Sequence, residues 1–182
     1  MRIITGQARG TRLVTLEGEA TRPTAEMVKE AVFSMIQFDI EGRRMLDLFS
    51  GSGQMGLEAL SRGAASCDLI DSSAAACAVI KQNAQKTKLF EKCRVLTTDW
   101  AAFLRGCKEK YDIVYLDPPY ASGLIPKALD LLCAKELAAE GGFVFCESDS
   151  DEEFSAPGFS VLRHNKYGRA YITLLKKDRA EE

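Results

Sequence analysis

Four apolar runs in this sequence end in an aspartate, and the residues are Asp47, Asp71, Asp99 and Asp117. Four carboxylates with this spacing could bind a ligand or take part in a reaction. The last of these aspartates opens the motif DPPY, residues 117–120, where two prolines remove two backbone donors and stop a sheet ladder. A carboxylate and a proline carbonyl on a rigid turn are paired acceptors for one conjugated exocyclic amine. The tyrosine ring adds a surface on which the base carrying that amine can stack.

The first of these aspartates leads into a glycine loop, "LDLFSGSGQMG", with glycines at Gly51, Gly53 and Gly56. This GxGxxG spacing after a strand is typical of dinucleotide binding, and Asp71 follows at about 20 residues, where a ribose-binding acid belongs. However, four carboxylates would repel a pyrophosphate. S-adenosylmethionine carries a sulfonium, an ammonium and a ribose diol, which carboxylates suit. The acids therefore favour S-adenosylmethionine, although Asp71 and Asp99 taken singly could be helix caps.

Strand and helix patterns alternate from residue 44 onward. The predicted strands are Met45–Phe49, Cys67–Ile70, Arg94–Thr97, Ile113–Leu116 and Phe143–Glu147. The predicted helices between them are Gln54–Ser61, Ser73–Lys86, Trp100–Arg105 and Leu124–Leu137. This alternation predicts a doubly wound, Rossmann-like α/β fold with a mostly parallel sheet, whose ligand lies at the carboxyl ends of the strands.

Two flanking segments differ from this alternation. Residues 1–43 contain two short β-rich runs around Gly6 and Gly10, which predict a hairpin, and then a helix that places Val28 and Val32 on one stripe. At the other end, two strand-like runs around Tyr167-Gly168 predict a closing antiparallel hairpin. We expect a single domain over residues 1–182, with 1–43 as an extension that binds the substrate. We also expect the catalytic core, 44–182, to close without that extension.

The composition restricts the class of protein. The chain has 182 residues, 46% of them hydrophobic and 27% charged, with a net charge of −2. Its six cysteines form no CxxC pair and it has one histidine, so we expect a reduced cytoplasmic location and no metal site. No apolar run reaches the roughly 20 residues that cross a bilayer. A monomer is the default expectation.

Basic residues concentrate at the two ends of the chain, where they could contact phosphates. The candidates are Arg9, Arg12 and Arg22 in the N-terminal part and Lys166 and Arg169 at the turn of the C-terminal hairpin. A solvated surface without a partner is the alternative interpretation for these residues.

The motifs together resemble a known family. "DLFSGSGQMGLEALSRGA" followed by "DPPY" resembles class I methyltransferases that modify exocyclic amines. "RIITGQARGTRL", "TRPTAEMVKEAVFSMI" and the tail "KYGRAYITL" are similar to the RsmD family, the guanine-N2 methyltransferases of 16S ribosomal RNA. The resemblance spans almost the whole chain. It departs after the second strand, where the family usually has a glutamate and this chain has Asp71.

The resemblance implies a donor, an acceptor and roles for particular residues. It implies S-adenosylmethionine as donor and N2 of the guanine at position 966 of 16S rRNA as acceptor, in free rRNA, an assembly intermediate or the small subunit. The implied target-base residues are Asp117, Pro118, Pro119 and Tyr120. The implied cofactor residues are Asp47, Phe49, Ser50, Gly51, Ser52, Gly53, Asp71, Asp99 and Trp100. Arg22 and Thr24 belong to the RPT block that the family places near the mouth of the active site.

Three other functions remain open from the sequence. An amine methyltransferase could act on DNA adenine or protein glutamine, although such enzymes commonly carry an added recognition domain. A non-catalytic nucleic-acid-binding module could retain the fold, although the complete glycine loop and DPPY motif disfavour it. An NAD-dependent oxidoreductase is disfavoured by the four carboxylates.

Overall fold

The computed structural model describes residues 1–17 and 23–181, and the side chains of Pro23 and Thr24 lie outside that description. The strands are β1 (Arg44–Asp47), β2 (Ser66–Asp71), β3 (Cys93–Thr97), β4 (Tyr111–Leu116), β5 (Ala138–Ser148), β6 (Phe159–Tyr167) and β7 (Ala170–Lys177). The helices are α1 (Pro23–Met35), α2 (Gln54–Ser61), α3 (Ala74–Lys86), α4 (Trp100–Gly106) and α5 (Leu124–Ala134). A short 3-10 turn, Phe90–Lys92, precedes β3.

The seven strands form one sheet in the order β3-β2-β1-β4-β5-β7-β6. Strands β1 to β5 are parallel because a helical crossover separates each from the next along the chain, whereas β7 pairs antiparallel with both β5 and β6. The predicted doubly wound sheet with a C-terminal antiparallel hairpin is therefore confirmed. The order reverses between β1 and β4, and in open α/β sheets this is the position where ligands bind.

Two apolar clusters cover the two faces of the sheet. Residues of α1, α2 and α3 belong to one cluster, and residues of α4 and α5 belong to the other. Strand residues alternate between them: Tyr115 and Phe145 face the first cluster, and Leu116 and Cys146 face the second. This alternation is the period-two pattern of a strand that is buried on both sides.

Most predicted elements agree with the structure to within one to three residues, but α5 is shorter than predicted. It ends at Ala134 and not at Leu137, because Glu136 adopts a left-handed backbone conformation with φ 52° and breaks the helical path. The chain then enters β5 at Ala138, so this strand starts five residues earlier than the predicted Phe143.

The N-terminal segment, residues 1–17, pairs the two predicted runs as a reduced hairpin, in which the Ile3 N–H donates to the Thr11 carbonyl and the Leu13 N–H to the Met1 carbonyl. It forms one isolated antiparallel bridge, between Arg2 and Arg12, and turns carry the chain between them. Ile3, Ala8 and Leu13 of this segment are buried in the same cluster as α2 and the sheet, and the closure of residues 44–182 without the segment stays a prediction. Segment and sheet share one core because a short bridge can bury apolar side chains only against other elements.

The predicted C-terminal hairpin is present, with Tyr167 paired to Ala170 across a two-residue turn. Gly168 in that turn has φ 61°, a conformation that favours glycine. Among the described residues, no helix has both the length and the apolar character needed to cross a bilayer.

Candidate active site

The carboxyl ends of β1, β2 and β4 meet at one edge of the sheet and form a cleft of about 580 Å³. All of the predicted catalytic and cofactor residues line this cleft except Gly53, Asp99 and Trp100. Residues from positions 47 to 120 therefore converge on a single site. The convergence arises because parallel strands with right-handed crossovers bring all their carboxyl ends to the same edge.

Glycines shape the loop that joins β1 to α2. Gly51 and Gly53 have φ values of 56° and 81°, in the left-handed region that other residues rarely adopt. A β-carbon on Gly56 would lie 2.8 Å from Cys67 Sγ and from Leu69 Cδ2, so only glycine lets α2 pack this close to β2. In the GxGxxG pattern, Gly51 and Gly53 therefore allow the tight turn at the cleft, and Gly56 allows the close contact between helix and sheet.

Two of the four aspartates hold this loop from opposite sides. The Gly51 N–H donates to Asp71 Oδ2 at 3.0 Å, and the Gly56 N–H donates to Asp47 Oδ2 at 3.2 Å. The other oxygen of Asp71 accepts from Ser73 N–H at 2.9 Å. Both carboxylates also line the cleft, so they shape the loop while presenting acceptors to a ligand. The ribose contact of Asp71 stays a prediction.

Asp47 is almost completely buried, with 2% of its surface exposed. Burial raises the pKa of its carboxyl from 3.8 to about 7, and the neighbouring carboxylates of Asp71 and Glu147 push in the same direction. The hydrogen bond from Gly56 opposes this shift only in part. The cleft therefore contains an acid that is close to half-ionised at neutral pH.

Asp99 and Trp100 do not line the cleft, and their contacts with the cofactor stay predictions. The Asp99 carboxylate caps α4, where it accepts from the N–H groups of Ala101 and Ala102 at 3.0 Å each. Trp100 packs its ring against Phe49, with ring centroids 6.1 Å apart, and Phe49 itself lines the cleft. Trp100 therefore supports a lining residue of the cleft, and Asp99 fixes the start of the helix that carries Trp100.

The DPPY motif forms a rigid turn at the end of β4. Asp117 is partly buried and Pro118 is buried, whereas Tyr120 has 53% of its surface exposed. The Ser122 N–H donates to the Pro119 carbonyl at 3.3 Å, which closes the turn before α5 begins. The Pro118 nitrogen carries no hydrogen, so the turn offers the Asp117 carboxylate and backbone carbonyls as acceptors. The aromatic ring of Tyr120 is exposed to solvent.

Sequence reasoning missed a residue beside this turn, Glu147 at the end of β5. The buried Tyr115 hydroxyl, on β4, donates a hydrogen bond to its carboxylate. Burial raises the pKa of Glu147, and the bond from Tyr115 opposes that shift. The motif "FCES" gave no signal for this role, because the pairing of β4 with β5 is what brings Glu147 to the site.

A second cavity, of about 380 Å³, adjoins the first. Pro118, Pro119 and Tyr120 line both, and Glu147 lines only the second. The DPPY turn is therefore a wall shared by two neighbouring cavities.

Sequence reasoning also missed the residues that attach the N-terminal segment next to the glycine loop. Asn83 on α3 donates to the carbonyls of Val14, at 2.9 Å, and Ser52, at 3.0 Å, and it accepts from the Val14 N–H at 2.7 Å. The Met1 sulfur lies 3.8 Å from the Ser52 hydroxyl. The start of the chain is thus adjacent to the cleft, although it is far from the glycine loop in sequence.

The predicted RNA-contacting residues that the structure describes lie on two exposed segments. Arg9 and Arg12 are exposed on the N-terminal segment, and Lys166 and Arg169 are exposed at the tip of the β6–β7 hairpin. Both segments rest on the same apolar cluster, which contains Ile3 and Ala170. Arg22 and the side chain of Thr24 lie outside the described residues.

The strand order, the glycine loop and the DPPY turn together define a class I methyltransferase fold. The family model described as "Conserved hypothetical protein 95" matches residues 1–176, so the chain belongs to that family, the RsmD family that its motifs resemble.

Named relatives extend over nearly the full length of the chain. Ribosomal RNA small subunit methyltransferase D of Escherichia coli K12 is 34% identical over 180 residues, covering 98% of this chain and 90% of the relative. The protein of the same name from Haemophilus influenzae is 32% identical over 172 residues, covering 92% and 89%. The solved structure of yhhF from Escherichia coli matches with a TM-score of 0.88 at 31% identity and covers 99% of both chains.

Proposed function

We propose that this protein transfers a methyl group from S-adenosylmethionine to N2 of one guanine, at position 966, of 16S ribosomal RNA. The observation that carries the proposal is that the DPPY turn and the glycine loop line one cleft. A methyl donor on the loop and an amine at the turn would then be neighbours. The names of the relatives, which specify ribosomal RNA of the small subunit, support the choice of substrate.

The residues of the cleft fit this donor. Asp47, Asp71 and Asp117 supply anionic acceptors, which suit a cation with ammonium and hydroxyl donors and oppose a pyrophosphate. Among the described residues, Gln54 Oε1 is a buried oxygen without a hydrogen-bond partner, and its side chain lines the same cleft. A donor-rich ligand would match this excess of acceptors.

Positioning is the main contribution that these residues make to the reaction. When bound, S-adenosylmethionine supplies an electrophilic methyl group on its sulfonium. The Asp117 carboxylate and the Pro118 carbonyl accept hydrogen bonds from the two N–H groups of the amine. These bonds rotate the amine so that its nitrogen lone pair leaves conjugation with the ring and points at the methyl group. With the donor bound, the amine nitrogen would form the new N–C bond and the methyl–sulfur bond would break with its electrons remaining on sulfur, while the Asp117 carboxylate would receive the amine proton and pass it to water. Tyr120 holds the base by stacking.

The substrate surface follows from the charges on the molecule. The Arg9–Arg12 surface and the Lys166–Arg169 surface carry the phosphate contacts, in free rRNA, an assembly intermediate or the small subunit. The enzyme acts as a monomer in the cytoplasm, where that substrate is found.

The test is to incubate total RNA and isolated small subunits with the protein and S-adenosylmethionine that carries a labelled methyl group. We expect label in 16S rRNA, at a single guanine, as N2-methylguanine, located by nuclease mapping and mass spectrometry. Label at an adenine, in DNA or in protein would contradict the proposed acceptor. In parallel, calorimetry with S-adenosylhomocysteine and with NAD should give binding only for the first, and the reverse result would contradict the proposed donor.

A further inference from the structure

Glu147 and Asp117 are neighbours at the edge of the sheet. The parallel register pairs Tyr115 with Phe145 and Leu116 with Cys146, so the next residues on the two strands are Asp117 and Glu147. Adjacent strands lie about 4.8 Å apart. Asp117 and Glu147 therefore follow directly on the last paired residues of two adjacent strands.

Tyr115 orients the Glu147 carboxylate. Its hydroxyl donates to Oε2 of Glu147, and a carboxylate has further lone pairs that remain available as acceptors. Burial raises the pKa of Tyr115 far above its usual range, and the charges of Glu147 and Asp117 raise it further. The Tyr115 hydroxyl therefore stays protonated and donates to Glu147.

The second cavity has room for a base beside this pair of acids. It lies on the far side of the DPPY turn from the glycine loop, and its wall combines Pro118, Tyr120 and Glu147 with the apolar side chains of Ile125 and Phe154. A flat ring stacked on Tyr120 in this cavity would present its edge to the ends of β4 and β5. Glu147 lines this cavity, and Asp117, which follows the adjacent strand β4, lines the first cleft, so the two acids supply acceptors on the two sides of the shared DPPY wall.

Two adjacent acceptors discriminate between purines. Guanine has an N–H donor at N1 next to the amine at N2, whereas adenine has an unprotonated N1 next to its amine, whose lone pair would face a carboxylate. We propose that Glu147 accepts the N1–H of the target guanine while Asp117 and the Pro118 carbonyl hold the N2 amine, so that this pair of acids selects guanine. The inference rests on the proposed function, and it assigns the selection of the base to a residue outside the DPPY motif.

A purine that keeps the amine and lacks the N1–H tests this role. The substrate is the form of RNA that the labelling experiment identifies, prepared with guanine or with 2-aminopurine at the target position. We expect the wild-type protein to methylate the guanine substrate about 10- to 100-fold faster, the range that corresponds to one unpaired buried group. Glu147→Met keeps the length of the side chain and removes the acceptor, and should bring the two rates within about threefold by slowing only the guanine reaction.

Three comparisons separate this role from a structural one. Glu147→Gln retains one acceptor oxygen and should recover part of the guanine preference. Glu153→Met changes an exposed acid of the following loop that does not line the cavity, and should leave both rates unchanged. Binding of S-adenosylhomocysteine by Glu147→Met, measured by calorimetry, should equal that of the wild type.

The outcomes are distinct. If Glu147→Met slows the guanine and 2-aminopurine reactions equally, or slows neither, Glu147 does not read N1 and the inference is wrong. If the wild-type protein produces no N2-methylguanine from the guanine substrate, the proposed function itself is wrong, whatever the variants do.

Discussion

Asp117 provides the most direct test at the scale of a single residue. Its carboxylate is proposed to hold the amine, and the glycine loop is proposed to hold the donor, so removing the carboxylate should affect rate more than donor affinity. We expect Asp117→Ala to lose more than tenfold in single-turnover rate, a loss of about 1.4 kcal/mol or more in transition-state stabilisation. Calorimetry with S-adenosylhomocysteine should give an affinity close to that of the wild type.

A matched change elsewhere controls for general effects of removing an acid. Asp130→Ala alters an exposed residue on α5 and should leave the rate unchanged. If Asp117→Ala keeps more than about a tenth of the wild-type rate, its carboxylate does not hold the amine.

The pKa of Asp47 predicts a pH dependence for donor binding. A cation in the cleft favours the ionised carboxylate, so binding should expel a proton near pH 6.5, where Asp47 with its pKa of about 7 is mostly protonated. The affinity for S-adenosylmethionine should therefore rise with pH up to about 7 and level off above it. Calorimetry in two buffers with different ionisation enthalpies counts the released protons, and Asp47→Asn should abolish the release. Identical heats in both buffers would exclude this linkage.

Asp47 also affects the stability of the fold, which it lowers as the pH rises, whereas the affinity for the donor rises with pH. Its pKa is 3.8 in the reference state and about 7 in the folded protein, so the folded chain binds this proton more tightly than the unfolded chain. In the cofactor-free protein, the contribution of Asp47 to the free energy of unfolding is therefore greatest below about pH 4 and is lost as the pH rises toward 7. A carboxyl with this property costs stability at neutral pH and is consistent with a functional site.

At the scale of elements, the buried Glu58 on α2 joins three parts of the molecule. It accepts from the Ile4 N–H at 2.9 Å and the Thr5 N–H at 3.0 Å, and it pairs with Arg62 at 2.9 Å and with Lys29 on α1 at 3.5 Å. Lys29 is also fully buried, and burial lowers its pKa. These contacts attach the N-terminal segment and α1 to the helix that follows the glycine loop.

Breaking this buried pair should destabilise the fold. Lys29→Met fills a similar volume and removes one of the four partners of Glu58, and we expect a loss of about 2 kcal/mol in the free energy of unfolding, measured in urea. Glu26→Gln removes an exposed pair with Arg2 and should cost less than about 1 kcal/mol. Equal midpoints for the two variants would contradict the assigned importance of the buried pair.

At the scale of the whole molecule, the two basic surfaces predict how RNA binding depends on salt. If Arg9 and Arg12 contact phosphates, log affinity falls with log salt by about 0.7 per phosphate on a single strand. Arg9→Ala combined with Arg12→Ala should flatten this slope by one to two contacts, or roughly 0.7 to 1.4. The affinity for S-adenosylhomocysteine should not change.

A second pair of basic residues gives the control for this measurement. Lys108 and Lys110 are exposed in the connection from α4 to β4, at the edge of the sheet opposite the cleft. Their double alanine variant should keep the wild-type salt slope. An unaltered slope for the arginine variant would instead assign RNA binding to the Lys166–Arg169 surface.

The sequence by itself determined the class of fold and the main chemical groups of the site. Apolar runs of strand length alternate with helical runs, and each strand carries its functional residue at its carboxyl end, so the parallel sheet predicts where Asp47, Asp71 and Asp117 meet. Glycine spacing and the two prolines describe local backbone geometry, which depends on few neighbours. For that reason the cleft was predicted almost completely.

Only the tertiary structure decided the contacts between residues that are far apart in the chain. Asp99 and Asp71 have similar local sequences, yet Asp99 caps α4 and Asp71 closes the glycine loop, because the neighbouring strand supplies Gly51 to only one of them. The N-terminal segment joins the core through Glu58, a partner 54 residues away from Ile4. Glu147 reaches Asp117 through the register of β4 with β5, which is set by packing across the whole sheet and has no local signature.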